Sequence, residues 1–111
     1  MTTSNRAWLA LKNAANLKPE PGRASAKVFT HGSLEVRFYR PVGEDAQTPH
    51  DRDEVYVVAS GAGWFVVEGE RRAFGPGDAL FVAAHATHSF EDFSDDFATW
   101  VFFYGPVGGE S

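Results

Sequence analysis

Cysteine is missing from this chain of 111 residues. Disulfides, thiolate zinc sites, iron–sulfur clusters and cysteine nucleophiles are therefore excluded. Any metal site in the chain must be built from histidine, from carboxylates or from neutral oxygen ligands.

Long hydrophobic runs are also missing. No stretch approaches the roughly 20 apolar residues that a transmembrane helix needs. The N-terminal sequence MTTSNRAWLALKNAANLKPE lacks the uninterrupted apolar segment of a secretory signal. We therefore expect a soluble, cytoplasmic protein with no membrane partner.

Clustered positive charge is scarce. The formal net charge is −5, and only Arg71 and Arg72 are adjacent among the basic residues. A nucleic-acid-binding surface needs a basic patch that neutralises phosphates. We therefore expect no nucleic-acid partner.

Apolar and aromatic residues, in contrast, are abundant. The chain is 43% apolar and contains ten Phe, three Trp and three Tyr. Because each aromatic side chain buries a large area, a chain of this length can fill the core of one compact domain.

The N-terminal segment predicts the one helix. Residues 4–17, SNRAWLALKNAANL, place Trp8, Leu11 and Ala15 at helical spacing. Ser4 or Asn5 could cap this helix, and the prolines that follow it would end it.

The rest of the chain has the pattern of short β-strands. Turn residues separate apolar runs about every 8–12 residues, and the runs include AKVFT, SLEVRFYR, EVYVVAS, WFVVEGERRAF, DALFVAA and ATWVFFYGP. Seven or eight such strands indicate an antiparallel sandwich or barrel. We divide the chain into an N-terminal helical extension (1–22), a β-domain (23–106) and a flexible tail (107–111).

Three polar residues within this pattern could hold a metal ion. Glu54 opens the run EVYVVAS, and its parity places it on the same strand face as Tyr56 and Val58. A carboxylate buried there needs a partner or a cation. Together with His50 and a histidine of AAHATHSFED, either His88 or His85 in the predicted turn, it would give two histidines and one carboxylate, a set that suits Fe(II), Mn(II), Ni(II) or Zn(II). The alternative is that these residues are ordinary polar side chains that hydrogen-bond at a strand edge.

The segments around these residues resemble the two motifs of the cupin family. EVYVVASG matches the end of the first motif, with Glu54 in its glutamate place and Gly61 in its glycine place. GPGDALFVAAHATH matches the second motif, which Gly77 opens and His88 closes. The resemblance extends over most of the chain, from about residue 27 to residue 104.

This resemblance implies a fold and a cofactor. The fold would be all-β, a small antiparallel jelly-roll barrel with a short N-terminal helix. The cofactor would be a divalent metal (Fe, Mn, Ni or Zn) bound by His50, Glu54 and His88. Cupins of this size commonly pair as homodimers, and the two-faced apolar runs VYVV and TWVFF fit that arrangement.

The chain departs from both motifs. Thr48 stands where the family usually has its first histidine, and Ala83 and His85 replace the proline and glycine of the second motif. The chain therefore keeps three of the four usual ligands. A fourth ligand could come from Gln47, Thr48, His85 or water.

Aromatic side chains are expected around the site. Tyr56 and Phe90 face inward by parity, and Trp100 and Phe102 are further candidates for the pocket lining, although core packing alone would also explain each of them. Arg37 alternates with apolar residues. It is either exposed or buried where it could grip an anionic ligand.

Two functions fit this sequence. In the first, the protein is a metal-dependent enzyme of the oxygenase or isomerase type that acts on a small organic molecule. In the second, it is a non-catalytic module that binds or senses a small molecule. The three retained ligands favour the first function, and Thr48 favours the second. The fold itself does not choose a chemistry.

Overall fold

The computed structural model describes residues 7–19, 21, 24–45 and 48–111. These ranges contain one helix and eight strands, which confirms the all-β class with a short N-terminal helix. The elements are α1 (Leu11–Ala15), β1 (Ser25–His31), β2 (Leu34–Tyr39), β3 (Asp53–Ser60), β4 (Gly63–Val67), β5 (Glu70–Phe74), β6 (Ala79–Val82), β7 (His88–Glu91) and β8 (Ala98–Tyr104).

The strands form two antiparallel sheets. One has five strands in the order β1-β2-β8-β3-β6, and the other has three in the order β5-β4-β7. Their inner faces enclose one aromatic core, as expected for a jelly-roll barrel. The buried members of this core are Tyr39, Tyr56, Val58, Phe65, Phe74, Val82, Ala86, Phe90, Phe97, Val101 and Phe103.

Strand β3 lies inside the larger sheet, between β8 and β6. Glu54, Tyr56 and Val58 are buried along it, whereas Val55 and Val57 are partly exposed. This alternation confirms the predicted shared face of the three buried residues. It also places a carboxylate at the edge of the aromatic core.

Helix α1 is much shorter than predicted. It covers only Leu11–Ala15, begins after Ala10 without a side-chain cap, and depends on packing because one turn has little stability alone. Trp8 and Leu11, on the predicted apolar face, are 79% and 46% exposed. The proposed caps at residues 4 and 5 lie outside the described residues. Among the described residues, no helix is long and apolar enough to cross a membrane.

The helix covers part of the outer face of the five-stranded sheet. Ala14 is buried against Phe38 and Ala98, and Trp100 packs at the side of this second cluster. The larger sheet is therefore apolar on both faces, with the main core on one side and α1 on part of the other.

The C-terminal segment, predicted as a flexible tail, donates hydrogen bonds from its backbone N–H groups to Asp51, which precedes β3, and to the side chain of Asp53, which opens β3. The Gly108 N–H donates to the Asp51 carbonyl oxygen at 2.6 Å. The Glu110 and Ala84 N–H groups donate to the Asp53 carboxylate at 2.8 and 2.9 Å, and these bonds hold the pKa of Asp53 below its usual range. The C-terminal segment thus fastens the start of β3 in place.

Candidate metal centre

Two facing strands and one loop bring the three candidate ligands together. Glu54 is the second residue of β3, and His88 opens β7 in the opposite sheet. His50 lies in the loop before β3, where its carbonyl oxygen accepts a hydrogen bond from the His85 N–H at 2.6 Å. The ligand atoms of His50, Glu54 and His88 all lie within 4.8 Å of one another.

The distances suit a shared cation. Oε1 of Glu54 lies 3.2 Å from Nε2 of His88 and 3.9 Å from Nε2 of His50. Metal–ligand bonds of about 2.0–2.2 Å place neighbouring donor atoms about 3 Å apart. Glu54 and His88 are buried, whereas the His50 side chain is 32% exposed. His50 therefore forms the outer rim of the site.

The tautomer of His88 is fixed by its backbone contact. Nδ1 lies 2.9 Å from the Ala86 carbonyl oxygen, which can only accept, so in the neutral ring the proton resides on Nδ1. Nε2 then presents a lone pair to the Glu54 carboxylate. Two lone pairs 3.2 Å apart repel unless a proton or a metal ion lies between them. A carbonyl contact of this kind is also how metal-ligating histidines are usually oriented.

The Glu54 carboxylate has no hydrogen-bond donor of its own. Both of its oxygens are buried and lack a hydrogen-bond partner among the described residues. An unpaired carboxylate in an apolar interior is strongly unfavourable. A divalent cation would supply the missing charge, so the residues present fit a metal.

The protonation of His88 reflects the same electrostatics. Burial lowers the pKa of His88. In the protonated ring, hydrogen bonds to Glu54 and the Ala86 carbonyl, together with the charges of Glu54 and Asp45, outweigh this, so the net pKa lies above 6.5. A proton on Nε2 and a metal ion bound by the triad of His50, Glu54 and His88 would therefore compete for the same lone pair.

A cavity of about 70 Å³ adjoins the triad. It is lined by Ala24, Ser25, Tyr39, His50, Glu54, Tyr56, Val101 and Phe103. Of the predicted lining residues, Tyr56 contacts this cavity. Phe90 packs behind Tyr56, with ring centroids 4.9 Å apart.

Trp100 and Phe102, the other two predicted lining residues, lie on the outer face of β8. Trp100 packs edge-to-face on Phe38 at 5.3 Å, and it stacks with Phe102 at 6.4 Å. Val101 and Phe103 point into the core instead. Because the run TWVFF is apolar on both faces, its alternation does not reveal which face turns inward.

Of the proposed fourth ligands, His85 is not part of the cluster of ligand atoms found among the described residues. Thr48 and His85 are exposed, and the His and carboxylate cluster found there consists of the three predicted ligands. His85 has a φ of 68°, a left-handed conformation that fits its place at the glycine position of the motif. Gln47 lies outside the described residues.

Arg37 is fully buried. Of the two positions predicted for this residue, exposed or buried, the exposed one is therefore wrong. Its Nε and Nη2 donate to the hydroxyl and carbonyl oxygens of Ser25 at 2.7 and 2.9 Å, and Nη1 donates to Glu35 at 2.6 Å. Ser25 and Tyr39 line the cavity although the sequence did not lead us to expect them there. The parity of Glu35, Arg37 and Tyr39 was the available signal for the inner face of β2.

Comparison with known proteins places these features in a family. The family model for the cupin domain matches residues 36–104, a stretch that contains the whole triad. An uncharacterised protein of Streptomyces coelicolor is 37% identical over 62 residues, which cover 56% of this chain and 59% of that protein. The chain therefore spans less than two thirds of this relative.

Solved structures share the same fold. The TT1209 protein of Thermus thermophilus superposes with a TM-score of 0.67 at 26% identity, covering 87% of this chain and 96% of that one. A Cupin 2 conserved barrel domain protein of Salinispora arenicola gives a TM-score of 0.62 at 19% identity, with 82% of each chain covered. Since the family match spans more than half of the sequence and agrees with both motifs, the chain belongs to the cupin family.

Proposed function

We propose that this protein is a metal-binding cupin that takes a small organic molecule next to its metal ion. His50, Glu54 and His88 would hold one divalent ion of Fe, Mn, Ni or Zn. The observation that carries the proposal is the buried Glu54 carboxylate, which lacks a hydrogen-bond partner among the described residues and faces two imidazole nitrogens.

The ion and the residues around it would have different roles. A divalent ion acts as a Lewis acid towards a bound organic molecule and suits oxygenase or isomerase chemistry. The Ala86 carbonyl orients the His88 ring. Phe103 packs against the His50 ring at 5.1 Å, and this contact restricts water at the rim. Three protein ligands leave positions open for the organic molecule.

A second candidate function is a non-catalytic module that binds or senses a small ligand. The small volume of the cavity, about 70 Å³, favours it, because there is little room for a substrate together with a co-reactant. Oxygen uptake or product formation with the metal-loaded protein would identify an enzyme. Ligand binding without turnover would identify the module.

Metal content tests the proposal. After equilibrium dialysis against Fe(II), Mn(II), Ni(II) or Zn(II), elemental analysis should find close to one ion per chain for at least one of these metals. His50→Ala and His88→Ala should each lose that ion. His31→Ala is the matched control, since His31 is exposed on β1 and distant in sequence from the triad. A wild-type protein that takes up none of the four metals would overturn the proposal.

We also propose that the protein is a cytoplasmic homodimer. Helix α1 packs near one part of the outer face of the five-stranded sheet. Elsewhere on that face, Val55, Val57 and Phe102 are partly exposed and Phe81 is 55% exposed. Burial of this apolar surface against a second copy would remove it from water.

A further inference from the structure

Besides the Tyr39 hydroxyl, which donates to Asp45, the cavity beside the triad carries two hydroxyl groups that the metal ligands do not account for. Ser25 and Tyr56 both line it, together with Glu54 and His50. A molecule bound at the open positions of the ion would therefore meet two hydrogen-bond donors as well as the metal.

The Ser25 hydroxyl is oriented by a buried positive charge. The Arg37 guanidinium, which is fully buried, donates from Nε to Ser25 Oγ at 2.7 Å. Because Oγ accepts this bond, the hydroxyl proton is directed to another acceptor. A cationic donor behind the hydroxyl also polarises it, which strengthens the bond that it can donate.

The Tyr56 hydroxyl would change its acceptor when a metal binds. It lies 3.1 Å from Nε2 of His88, and because the His88 proton is held at Nδ1 by Ala86, the tyrosine is the donor in this contact. A metal ion bound to Nε2 would use the same lone pair. The hydroxyl would then direct its proton from Nε2 to a molecule on the ion.

The charge of the site determines whether an anion or a neutral molecule binds better. A divalent ion with one carboxylate and two neutral imidazoles keeps a net positive charge. Arg37 and Arg52 share one carboxylate, Glu35, at 2.6 and 3.8 Å. Their one surplus positive charge offsets the Asp45 carboxylate, which accepts hydrogen bonds from Tyr39 and the Phe90 N–H. The net positive charge of the metal site and the two donors would together favour an anion over a neutral molecule.

We propose that the small molecule is a carboxylate whose oxygens bind the metal and accept hydrogen bonds from Ser25 and Tyr56. This inference rests on the metal site proposed above. Since about 10–15 Å³ of such cavity volume holds one water, the cavity of about 70 Å³ has room for a group of a few heavy atoms, such as the carboxylate end of the ligand. The remainder of a longer molecule would extend past His50 at the rim.

Acetate and its neutral isostere acetamide are the probes that test this proposal. Each is titrated into protein loaded with Co(II), whose visible spectrum reports changes in its ligands. We expect acetate to bind at least about tenfold more tightly than acetamide, and Ser25→Ala and Tyr56→Phe each to weaken acetate about tenfold. Tyr104→Phe, on the outer side of β8, should leave the acetate affinity unchanged. Co(II) content should remain near one ion per chain throughout.

The outcomes separate the two proposals. Equal affinity for acetate and acetamide, or acetate binding that Tyr56→Phe does not change, would overturn the carboxylate proposal while the metal site stands. This second result decides the matter even if Ser25→Ala fails to fold. A wild-type protein that binds neither Co(II) nor any of Fe(II), Mn(II), Ni(II) and Zn(II) at the triad would overturn the metal site, and the carboxylate proposal with it.

Discussion

Glu54 carries a charge that its apolar surroundings do not solvate. Its two oxygens are buried without hydrogen-bond partners among the described residues, and the nearest polar atom that we identify, Nε2 of His88, presents a lone pair in the neutral ring. While His88 is neutral, a residue of this kind destabilises the metal-free fold, and such a cost is typical of functional sites. Glu54 is therefore better explained by a bound cation than by a contribution to folding.

Replacement of Glu54 by glutamine should separate stability from metal binding. At pH 8, Glu54→Gln removes the buried charge, so we expect the free energy of unfolding of the metal-free protein to rise by about 1–3 kcal/mol. The same variant should bind no metal. Urea denaturation and elemental analysis measure the two effects.

Glu35→Gln is the contrasting variant, because Glu35 pairs with the buried Arg37 at 2.6 Å. Its loss leaves a buried guanidinium without its carboxylate, so this variant should be less stable than the wild type. If Glu54→Gln destabilises the metal-free protein as much as Glu35→Gln does, Glu54 is not an unsatisfied charge.

The stability of the protein should depend on pH in opposite ways with and without metal. The folded-state pKa of His88 lies above 6.5, so in the metal-free protein its contribution is fully present below about pH 6.5 and is lost as the pH rises through that higher pKa. A metal ion must displace the same proton, so metal binding, and the stability that it adds, should increase over this range. Urea unfolding at pH 6 and pH 8, with and without metal, measures both trends. A metal-free His88→Asn variant should lose the first trend.

At the scale of elements, the turn between β3 and β4 depends on a glycine. Gly61 has a φ of +82°, and a Cβ there would lie 2.5 Å from Cα of Phe97. Gly61 therefore allows this turn to approach the loop before β8. This packing gives a structural reason for the glycine that closes the first motif.

Two alanine substitutions separate the two reasons for a glycine at position 61, its left-handed backbone conformation and its close approach to Phe97. Gly69 also has a φ of +82°, but no atom lies within 4 Å of the position that a Cβ would take there. Gly69→Ala should therefore cost only the left-handed conformation, about 1–2 kcal/mol, whereas Gly61→Ala should cost about 3 kcal/mol or more because overpacking is added. Urea denaturation gives both values. Equal losses would show that the close approach to Phe97 has no energetic weight.

Individual strands differ in how well the sequence predicts them. On β3, polar Glu54 marks the inner face, so the orientation of the strand and the candidate metal ligand on it were predictable. On β8, every residue from Trp100 to Phe103 is apolar, and the helix that covers Trp100 cannot be located by alternation. The burial of Arg37 was likewise hidden, because its partner Ser25 meets it only when β1 pairs with β2.

At the scale of the whole molecule, the two sheets determine the site. His88 belongs to the smaller sheet and Glu54 to the larger one, so the triad forms only when the sheets pack together. The resemblance of the two sequence motifs to the cupin family predicted that Glu54 and His88 would lie together. Parity on β3 predicted Tyr56 in the pocket lining, whereas the volume of the cavity and the Ser25 and Tyr39 hydroxyls in its lining were not predicted, since these depend on how β1, β2 and β8 pack.

The uncovered part of the outer face leads to a prediction about assembly. Phe81 is 55% exposed on β6, beside Val55 of β3. Phe81→Lys should convert the proposed homodimer to a monomer, because it places a charge in an apolar interface. Val42→Lys is the control, since Val42 is 93% exposed on the loop after β2. Sedimentation equilibrium measures the masses, and a wild-type protein that is monomeric at all concentrations contradicts the dimer.

The central claim is that Glu54 is buried in order to bind a metal ion with His50 and His88. Anomalous diffraction from crystals of the metal-loaded protein, collected at the absorption edge of the metal, tests it most directly. We expect one anomalous peak per chain, about 2.0–2.2 Å from Nε2 of His50, Nε2 of His88 and a carboxylate oxygen of Glu54. A fully loaded crystal whose peak lies elsewhere, with Glu54 unliganded, would contradict the claim.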